Sequence, residues 1–305
     1  MSFSELIGNN KIKNMLIDSA KNGNIVHSYL FYGIEGIGKK LFAVEFSKMI
    51  LCEAQEKPCD KCKSCVEFNS NNNPDFFFIE PEKNSLKIDQ IRNMQKNILE
   101  KPINGTKKVY IINDADKMTK EAQNCLLKTL EEPQDFVVII LICSNENNIL
   151  PTVKSRCTKI FFNQIEDSDI SAFVKEKNTS INFDENMLEL CSGSIGKAIN
   201  IIDKENILND LKNIVHSVDK VDKISFFNYN DFFSNNKDNV DLLLEHMYVL
   251  LFKYINNENR YNCINAMAYV EEAKIKLSYS NNYDMTIDNM LIKIWEEFNE
   301  KNNWC

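Results

Sequence analysis

The chain has 305 residues, of which 44% are hydrophobic and 26% are charged, and its net charge is −8. This composition is typical of globular proteins that bury a core, and the length favours two domains at roughly 150 residues each. The acidic balance excludes a broadly basic surface, so any contact with DNA is expected to be local. The longest apolar run, 136–143, is too short to cross a bilayer, and residues 1–10 lack the pattern of a signal peptide. We therefore expect a cytoplasmic protein without membrane contact.

Strands and helices are predicted to alternate in the first half of the chain. Short runs rich in β-branched and aromatic residues predict strands at 28–32, 76–79, 109–112, 136–143 and 159–162. Apolar residues at helical spacing predict helices between them, at 39–51, 88–99 and 120–131. This alternation is typical of an α/β fold in which a parallel sheet carries helices on both faces.

The segment after the first predicted strand fits the phosphate-loop pattern G-x-x-x-x-G-K. Its glycines Gly33, Gly36 and Gly38 would let backbone N–H groups surround a phosphate, and Lys39 would neutralise the phosphate charge. Lys40 stands where such loops carry the Ser or Thr that ligates Mg²⁺, and an ammonium group has no lone pair for a metal. The alternative is a tight strand-to-helix turn that needs glycine for conformation alone.

Four cysteines lie close together after the predicted helix 39–51. Cys52, Cys59, Cys62 and Cys65 offer four thiolates, and the two-residue spacings allow neighbouring sulfurs to reach one ion. We predict a structural Zn²⁺ site at 52–65, with an iron–sulfur cluster as the alternative. The other six cysteines are scattered along the chain and are interpreted as small buried hydrophobic residues.

The strand predicted at 109–112 ends in acidic and amide residues. In an ATPase this strand should end in an Asp that holds the metal, but Asn113 occupies that position and brings no charge to Mg²⁺. Asp114 follows in the position of the acid that would polarise water. Together with Lys40, these residues argue against ATP hydrolysis and against productive ATP binding.

Glycine and proline divide the chain. All 8 glycines lie at or before Gly196 and all 6 prolines lie at or before Pro151, so that Lys197–Cys305 contains neither residue. Because both residues interrupt helices, their absence predicts an all-helical C-terminal part. Apolar residues at helical spacing within 242–254 and 287–298 agree with this prediction.

Taken in order, these features resemble the delta-prime subunits of bacterial DNA polymerase III clamp loaders. Beside the loop and the cysteine segment, the resemblance depends on 26–31 (VHSYLF), 73–76 (NPDF), 79–81 (IEP), 115–118 (ADKM), 126–133 (LLKTLEEP) and 155–157 (SRC). It implies an AAA+ (RecA-like) domain at 1–163 with the zinc module at 52–65. A small helical lid at 164–202 and an all-helical collar at 203–305 would follow.

The resemblance also implies a function. The related gamma and tau motor subunits carry Ser or Thr, an Asp-Glu pair, and a lid arginine where this chain has Lys40, Asn113-Asp114 and Gly196. Lys197, one residue further on, could substitute in part for that arginine. These departures imply a stator that does not hydrolyse ATP but helps to load the sliding clamp onto primed DNA, as part of the DNA polymerase III holoenzyme.

The Ser-Arg-Cys segment implies a role for Arg156. In the family this arginine acts in trans, as a finger on ATP bound by the adjacent motor subunit. Implied partners are the gamma/tau and delta subunits and, through the assembled complex, primed DNA and the sliding clamp. Taken without the motif, Arg156 would instead be interpreted as a surface arginine that closes a turn before the strand at Ile160. An active gamma/tau-type ATPase and a stand-alone zinc-containing nucleic-acid-binding protein remain open as alternatives.

Overall fold

Five parallel strands organise the first half of this computed structural model, which describes residues 3–177, 183–258, 262–279 and 282–299. In space the strands follow the order β2-β3-β4-β1-β5, and every neighbouring pair is parallel. The first two predicted strands are confirmed, and the other three are shifted by one residue at their ends. Phe136, for example, lies in a turn in which Val137 N donates to Gln134 O at 2.9 Å. The strands are β1 (Ser28–Tyr32), β2 (Phe76–Ile79), β3 (Lys108–Ile112), β4 (Val137–Cys143) and β5 (Thr158–Phe161).

The helices predicted at 39–51 and 120–131 are confirmed, and the one predicted at 88–99 ends one residue earlier. The first group comprises α1 (Asn10–Asn22), α2 (Lys39–Leu51), α3 (Lys63–Asn69), α4 (Ile88–Ile98), α5 (Lys120–Glu131), α6 (Pro151–Lys154), α7 (Asp167–Lys177) and α8 (Glu185–Cys191). The second group comprises α9 (Ile195–Asp203), α10 (Glu205–His216), α11 (Lys223–Phe227), α12 (Asn230–Asn235), α13 (Val240–Glu258), α14 (Asn262–Ser278) and α15 (Tyr283–Asn299).

Helices cover both faces of the sheet, as the alternation predicted. Phe31 and Ile111 pack on one face in a cluster with buried residues of α1 and α2. Leu30 and Tyr110 point to the other face, where they join a cluster with α4 and α5. Because a central strand of such a sheet is covered on both sides, its sequence is continuously apolar. β4 is buried along its whole length for this reason.

The chain divides into two compact units. The first comprises Met1–Ile170 with Gly193–Gly196, and the second comprises Ser171–Ser192 with Lys197–Cys305. Among the described residues after Lys197, regular structure is helical only, and long helices α13, α14 and α15 bury apolar side chains such as Leu243, Ala266 and Leu291. Separate lid and collar domains with a boundary at residue 202 stay a prediction. None of the described helices is long and apolar enough to cross a membrane.

Candidate functional site

The phosphate-loop segment connects β1 to α2 at the carboxyl end of the sheet, where open α/β sheets bind their ligands. Gly33, Gly36 and Gly38 all have positive φ, at 147°, 76° and 94°. These values lie in the region that residues with a Cβ rarely adopt, so the three glycines are required for the path of the loop. The predicted turn from strand to helix is therefore present, with Lys39 as the first residue of α2.

The Lys39 side chain is held by its own loop. Its Nζ donates to the carbonyl oxygens of Gly33 and Ile34, each at 2.6 Å, and contacts Ser144 Oγ at 3.3 Å. The residue is only 5% exposed, and burial lowers the pKa of its ammonium group although nearby acids such as Asp116 oppose that change. Phosphate binding by Lys39 would thus require the bonds to the loop carbonyls to be exchanged.

A second segment covers the loop at Gly36. Gly196 N donates to Gly36 O at 2.8 Å, and Ser194 Oγ donates to Glu35 O at 2.9 Å. A Cβ at Gly196 would lie 2.8 Å from the Cα of Gly36, which is closer than real side chains approach. Any side chain at position 196 would consequently displace one of the two backbones. An arginine at position 196, as the resemblance implies for motor subunits, would therefore not fit the present loop conformation.

Lys40 points away from the loop and toward the end of β2. Its Nζ lies 3.0 Å from Glu80 Oε1 and 4.5 Å from the centre of the Phe78 ring. Both charged side chains are about half exposed, so this pair contributes little to stability. The residue connects the start of α2 to the end of β2 and offers no metal ligand.

The residues at the end of β3 are occupied with structural contacts. Asn113 N donates to Ile79 O at 2.9 Å, which continues the pairing of β3 with β2. Asp114 adopts a left-handed conformation with φ of 50°, and its carboxylate accepts a hydrogen bond from Lys117 Nζ at 2.9 Å. That bond is the main cause of the raised pKa of Lys117. Mg²⁺ is therefore offered a neutral amide at residue 113 and an acid already paired with a lysine.

The four clustered cysteines converge on one point between α2 and α3. The Sγ atoms of Cys52, Cys59, Cys62 and Cys65 all lie within 4.8 Å of one another. Four sulfurs at about 2.3 Å from a tetrahedral zinc are about 3.8 Å apart, so the set has the size that one ion requires. The sequence prediction that these residues meet is confirmed, and the set is close enough to bind a metal.

Backbone N–H groups donate hydrogen bonds to two of these sulfurs. Cys62 N donates to Cys59 Sγ at 3.3 Å, and Cys65 N donates to Cys62 Sγ at 3.4 Å. Hydrogen bonds from the backbone of Lys61 and Cys62 lower the pKa of Cys59 to about 6, whereas burial raises the pKa of Cys65. The thiolate is the form that binds metal, and N–H donors to sulfur favour this form.

The Asn-Pro-Asp motif at 73–75 fastens this segment to the sheet. The side-chain amide of Asn73 donates to Ser64 O at 3.0 Å, and its oxygen accepts from Asp75 N at 2.9 Å. The buried Asp75 carboxylate accepts from the backbone N–H groups of Ile103 and Asn104, at 2.8 and 2.7 Å. The motif thus joins α3, the start of β2 and the loop before β3, and its role is structural.

Arg156 lies at the opposite edge of the sheet from the phosphate loop. It immediately precedes β5, which pairs with β1 in parallel, and its carbonyl oxygen accepts from Ser28 Oγ at 2.6 Å. The phosphate loop follows the other end of β1. Because a five-residue strand is about 16 Å long at roughly 3.3 Å per residue, Arg156 stands well away from the loop of its own chain.

The guanidinium of Arg156 is held by two elements. Its Nη1 donates to Thr152 O at 2.9 Å, and its Nη2 lies 2.7 Å from Glu131 Oε1 at the end of α5. The side chain is 35% exposed and borders an open groove of about 560 Å³, which is also lined by His27, Leu130 and Ser155. The sequence analysis did not predict this pair, because no local spacing relates Glu131 to Arg156.

Two kinds of comparison relate the chain to DNA replication proteins. The family described as DNA polymerase III, delta subunit matches residues 8–166. The DNA polymerase III subunit delta' of Bacillus subtilis is 33% identical over 171 residues, which are 56% of this chain and 52% of that protein. The DNA polymerase III subunit gamma/tau of Mycoplasma pneumoniae is 32% identical over 220 residues, which are 70% of this chain and 32% of that protein. The chain therefore spans about half or less of the length of these two curated relatives.

A solved structure has the same fold. The crystal structure of a DNA polymerase III gamma subunit-related protein from Thermotoga maritima superposes with a TM-score of 0.61 at 19% identity. The match covers 93% of this chain and 99% of that one. At this identity the similarity concerns the fold alone.

Proposed function

The chain belongs to the DNA polymerase III delta subunit family of clamp-loader proteins, and from this premise we propose that it is a stator that does not hydrolyse ATP. In this role it occupies a delta-prime position beside gamma/tau motor subunits and the delta subunit. Primed DNA and the sliding clamp are contacted through the assembled complex. The expected cytoplasmic location stays a prediction.

The contacts of the phosphate loop support the absence of turnover. The Nζ of Lys39 donates hydrogen bonds to two carbonyl oxygens of its own loop. The backbone of Gly196 covers Gly36 and donates a hydrogen bond to its carbonyl oxygen. Lys40 and Asn113 replace the two residues that would organise Mg²⁺, which needs nearly ideal octahedral oxygen coordination. The residues present therefore do not fit Mg·ATP, and this pocket is not expected to hydrolyse it.

The position of Arg156 carries the proposal most directly. The residue stands at the far edge of the sheet from its own loop, is partly exposed and borders an open groove. An arginine placed in this way can reach a phosphate only on another subunit. A guanidinium presented to a γ-phosphate stabilises the charge that spreads over its oxygens in the transition state. We assign Arg156 as a finger that acts in trans on the ATP of a neighbouring motor subunit.

The four cysteines form a structural zinc site in this proposal. All four ligand positions are supplied by the protein, which leaves no open position for catalysis. The module at 52–65 belongs to an AAA+ domain at 1–163, followed by a lid at 164–202 and a collar at 203–305. In the assembled ring, the collar would hold the subunits together through helix packing.

An active gamma/tau-type ATPase is the second candidate, because a gamma/tau relative matches 70% of this chain. Such an enzyme would bind and turn over Mg·ATP without partners. A stand-alone zinc-containing nucleic-acid-binding protein would form no complex with motor subunits in gel filtration.

The finger assignment is tested in a ring reconstituted from this chain and its motor and delta subunits. We expect Arg156→Ala to leave assembly intact, as judged by gel filtration, and to lower ATP turnover at the adjacent site by about 10³-fold or more. Motor subunits whose own finger arginines are replaced by alanine isolate that site from the others. Equal turnover with Arg156 and with alanine would rule out the assignment.

A further inference from the structure

Glu131 occupies an unusual place for an acid. It is the last residue of α5, where the backbone carbonyl groups of the helix carry partial negative charge. A carboxylate in the last turn of a helix is unfavourable, so the position of Glu131 is not explained by helix stability. Its carboxylate Oε1 lies 2.7 Å from Nη2 of Arg156.

From this contact we infer that Glu131 is a positioning residue for the Arg156 finger, an inference that rests on the proposed function. Arginine has several rotatable bonds, and the rotamer entropy of its side chain opposes its being held in one place. Glu131 fixes Nη2, the carbonyl of Thr152 fixes Nη1, and Ser28 fixes the backbone of the arginine itself. With both terminal nitrogens anchored, the guanidinium is held beside the groove before any neighbour arrives.

The pair is exposed enough to function at a subunit boundary. Arg156 is 35% exposed and Glu131 is 49% exposed, and both line the same open groove. An ion pair of this exposure contributes little to folding stability, so that its loss is compatible with a folded chain. The guanidinium has five N–H donors, and its contacts with Thr152 O, Ser155 Oγ and Glu131 Oε1 leave others available for an incoming phosphate.

The test uses the reconstituted ring in which motor finger arginines are replaced by alanine, so that the site served by Arg156 dominates turnover. We expect Glu131→Ala to lower kcat about 3- to 10-fold while the KM for ATP and ring assembly stay unchanged. Glu131→Gln keeps an oxygen acceptor for the guanidinium, so its kcat should lie between that of the wild type and that of Glu131→Ala. Glu132→Ala removes the neighbouring exposed acid and is the matched control, with wild-type turnover expected.

A double-variant cycle separates positioning from other effects. If Glu131 acts through the arginine, Glu131→Ala has no further effect on turnover once Arg156→Ala is present. If the Arg156→Ala ring is defective but the Glu131→Ala ring turns over ATP at the wild-type rate or faster, the inference about Glu131 is wrong. The assignment of Arg156 as a finger would still stand. Unchanged turnover with Arg156→Ala would instead contradict the proposed function itself.

Discussion

The cysteine module offers the sharpest prediction on stability, because so few of its side chains are buried. Between Leu51 and Asn69 the buried residues are two ligand cysteines, Ser64 and Phe68. Burial of one phenylalanine contributes about 1.5–3 kcal/mol. A structural zinc contributes on the order of 10–16 kcal/mol in small peptides, so we expect the metal to supply most of the stability of this segment.

We expect Cys62→Ser or removal of the metal to open the segment locally and to leave the sheet folded. The core residues on the α2 side of the sheet, such as Phe31 and Phe46, are fully buried without help from the cysteines. Every 1.4 kcal/mol lost raises the open population tenfold, so a loss of even about 3 kcal/mol raises it roughly a hundredfold. Proteolysis of an open segment follows this population.

The assay is limited digestion with a lysine-specific protease, combined with metal analysis. Lys57, Lys61 and Lys63 provide cleavage sites within the segment. Cleavage there should accelerate by at least about tenfold in Cys62→Ser, while circular dichroism changes little. Cys125→Ser is the matched control, because Cys125 is a half-buried cysteine on α5 outside the cluster.

The metal content decides what the site holds. We expect about one zinc ion per chain after gentle purification. Less than half an ion per chain, with Cys62→Ser cut no faster than Cys125→Ser, would refute the reasoning. If the purified chain contains iron and absorbs visible light, the site holds an iron–sulfur cluster and the zinc assignment is wrong.

Three further predictions concern stability. Burial lowers the pKa of His246 to about 4, from about 6.5 in an unfolded chain, so stability should fall as the pH drops from 6.5 toward 4. Between pH 7 and pH 5 the wild-type free energy of unfolding should therefore fall by about 2 kcal/mol more than that of His246→Gln. Urea unfolding followed by tryptophan fluorescence measures this difference, and equal pH dependence in the two proteins would contradict the prediction. Asp75→Ala should lower the free energy of unfolding by about 3 kcal/mol because two backbone N–H groups lose their acceptor, and Asp75→Asn should lower it less. Urea or thermal unfolding measures this, and a stability equal to that of the wild type would contradict the contacts described. Gly36→Ala should lower the melting temperature more than Gly38→Ala, because a Cβ at Gly36 would clash with Ser194 whereas the nearest neighbours of a Cβ at Gly38 are 3.9 Å away. The reverse order of melting temperatures would contradict the close packing at Gly36.

Local patterns in the sequence were sufficient for much of the fold. The apolar runs at 28–32 and 76–79 coincide with strands, and the helical spacing at 39–51 coincides with α2. The cysteine cluster was also predictable, because its four ligands lie within one short segment and a hydrogen-bonded turn brings them together. The predictions were wrong by one residue at the ends of some elements. Phe136 is the first residue of an apolar run, but it lies in the turn that precedes β4.

Contacts between distant segments were not predictable in the same way. Glu131 and Arg156 meet because α5 ends and β5 begins at the same edge of a parallel sheet, and only the strand order shows this. Gly36 and Gly196 touch across a much larger separation in sequence. Glycine at both positions was a usable signal, since two backbones that approach this closely leave no room for a Cβ.

Equilibrium binding of Mg·ATP to the purified full chain, followed by a turnover assay on the same sample, tests the central proposal most directly. Because Lys40 and Asn113 replace the groups that organise Mg²⁺, we expect no saturable binding in the micromolar range and no steady turnover. Micromolar affinity with sustained hydrolysis by the isolated chain would contradict the stator proposal and would identify an active motor subunit instead.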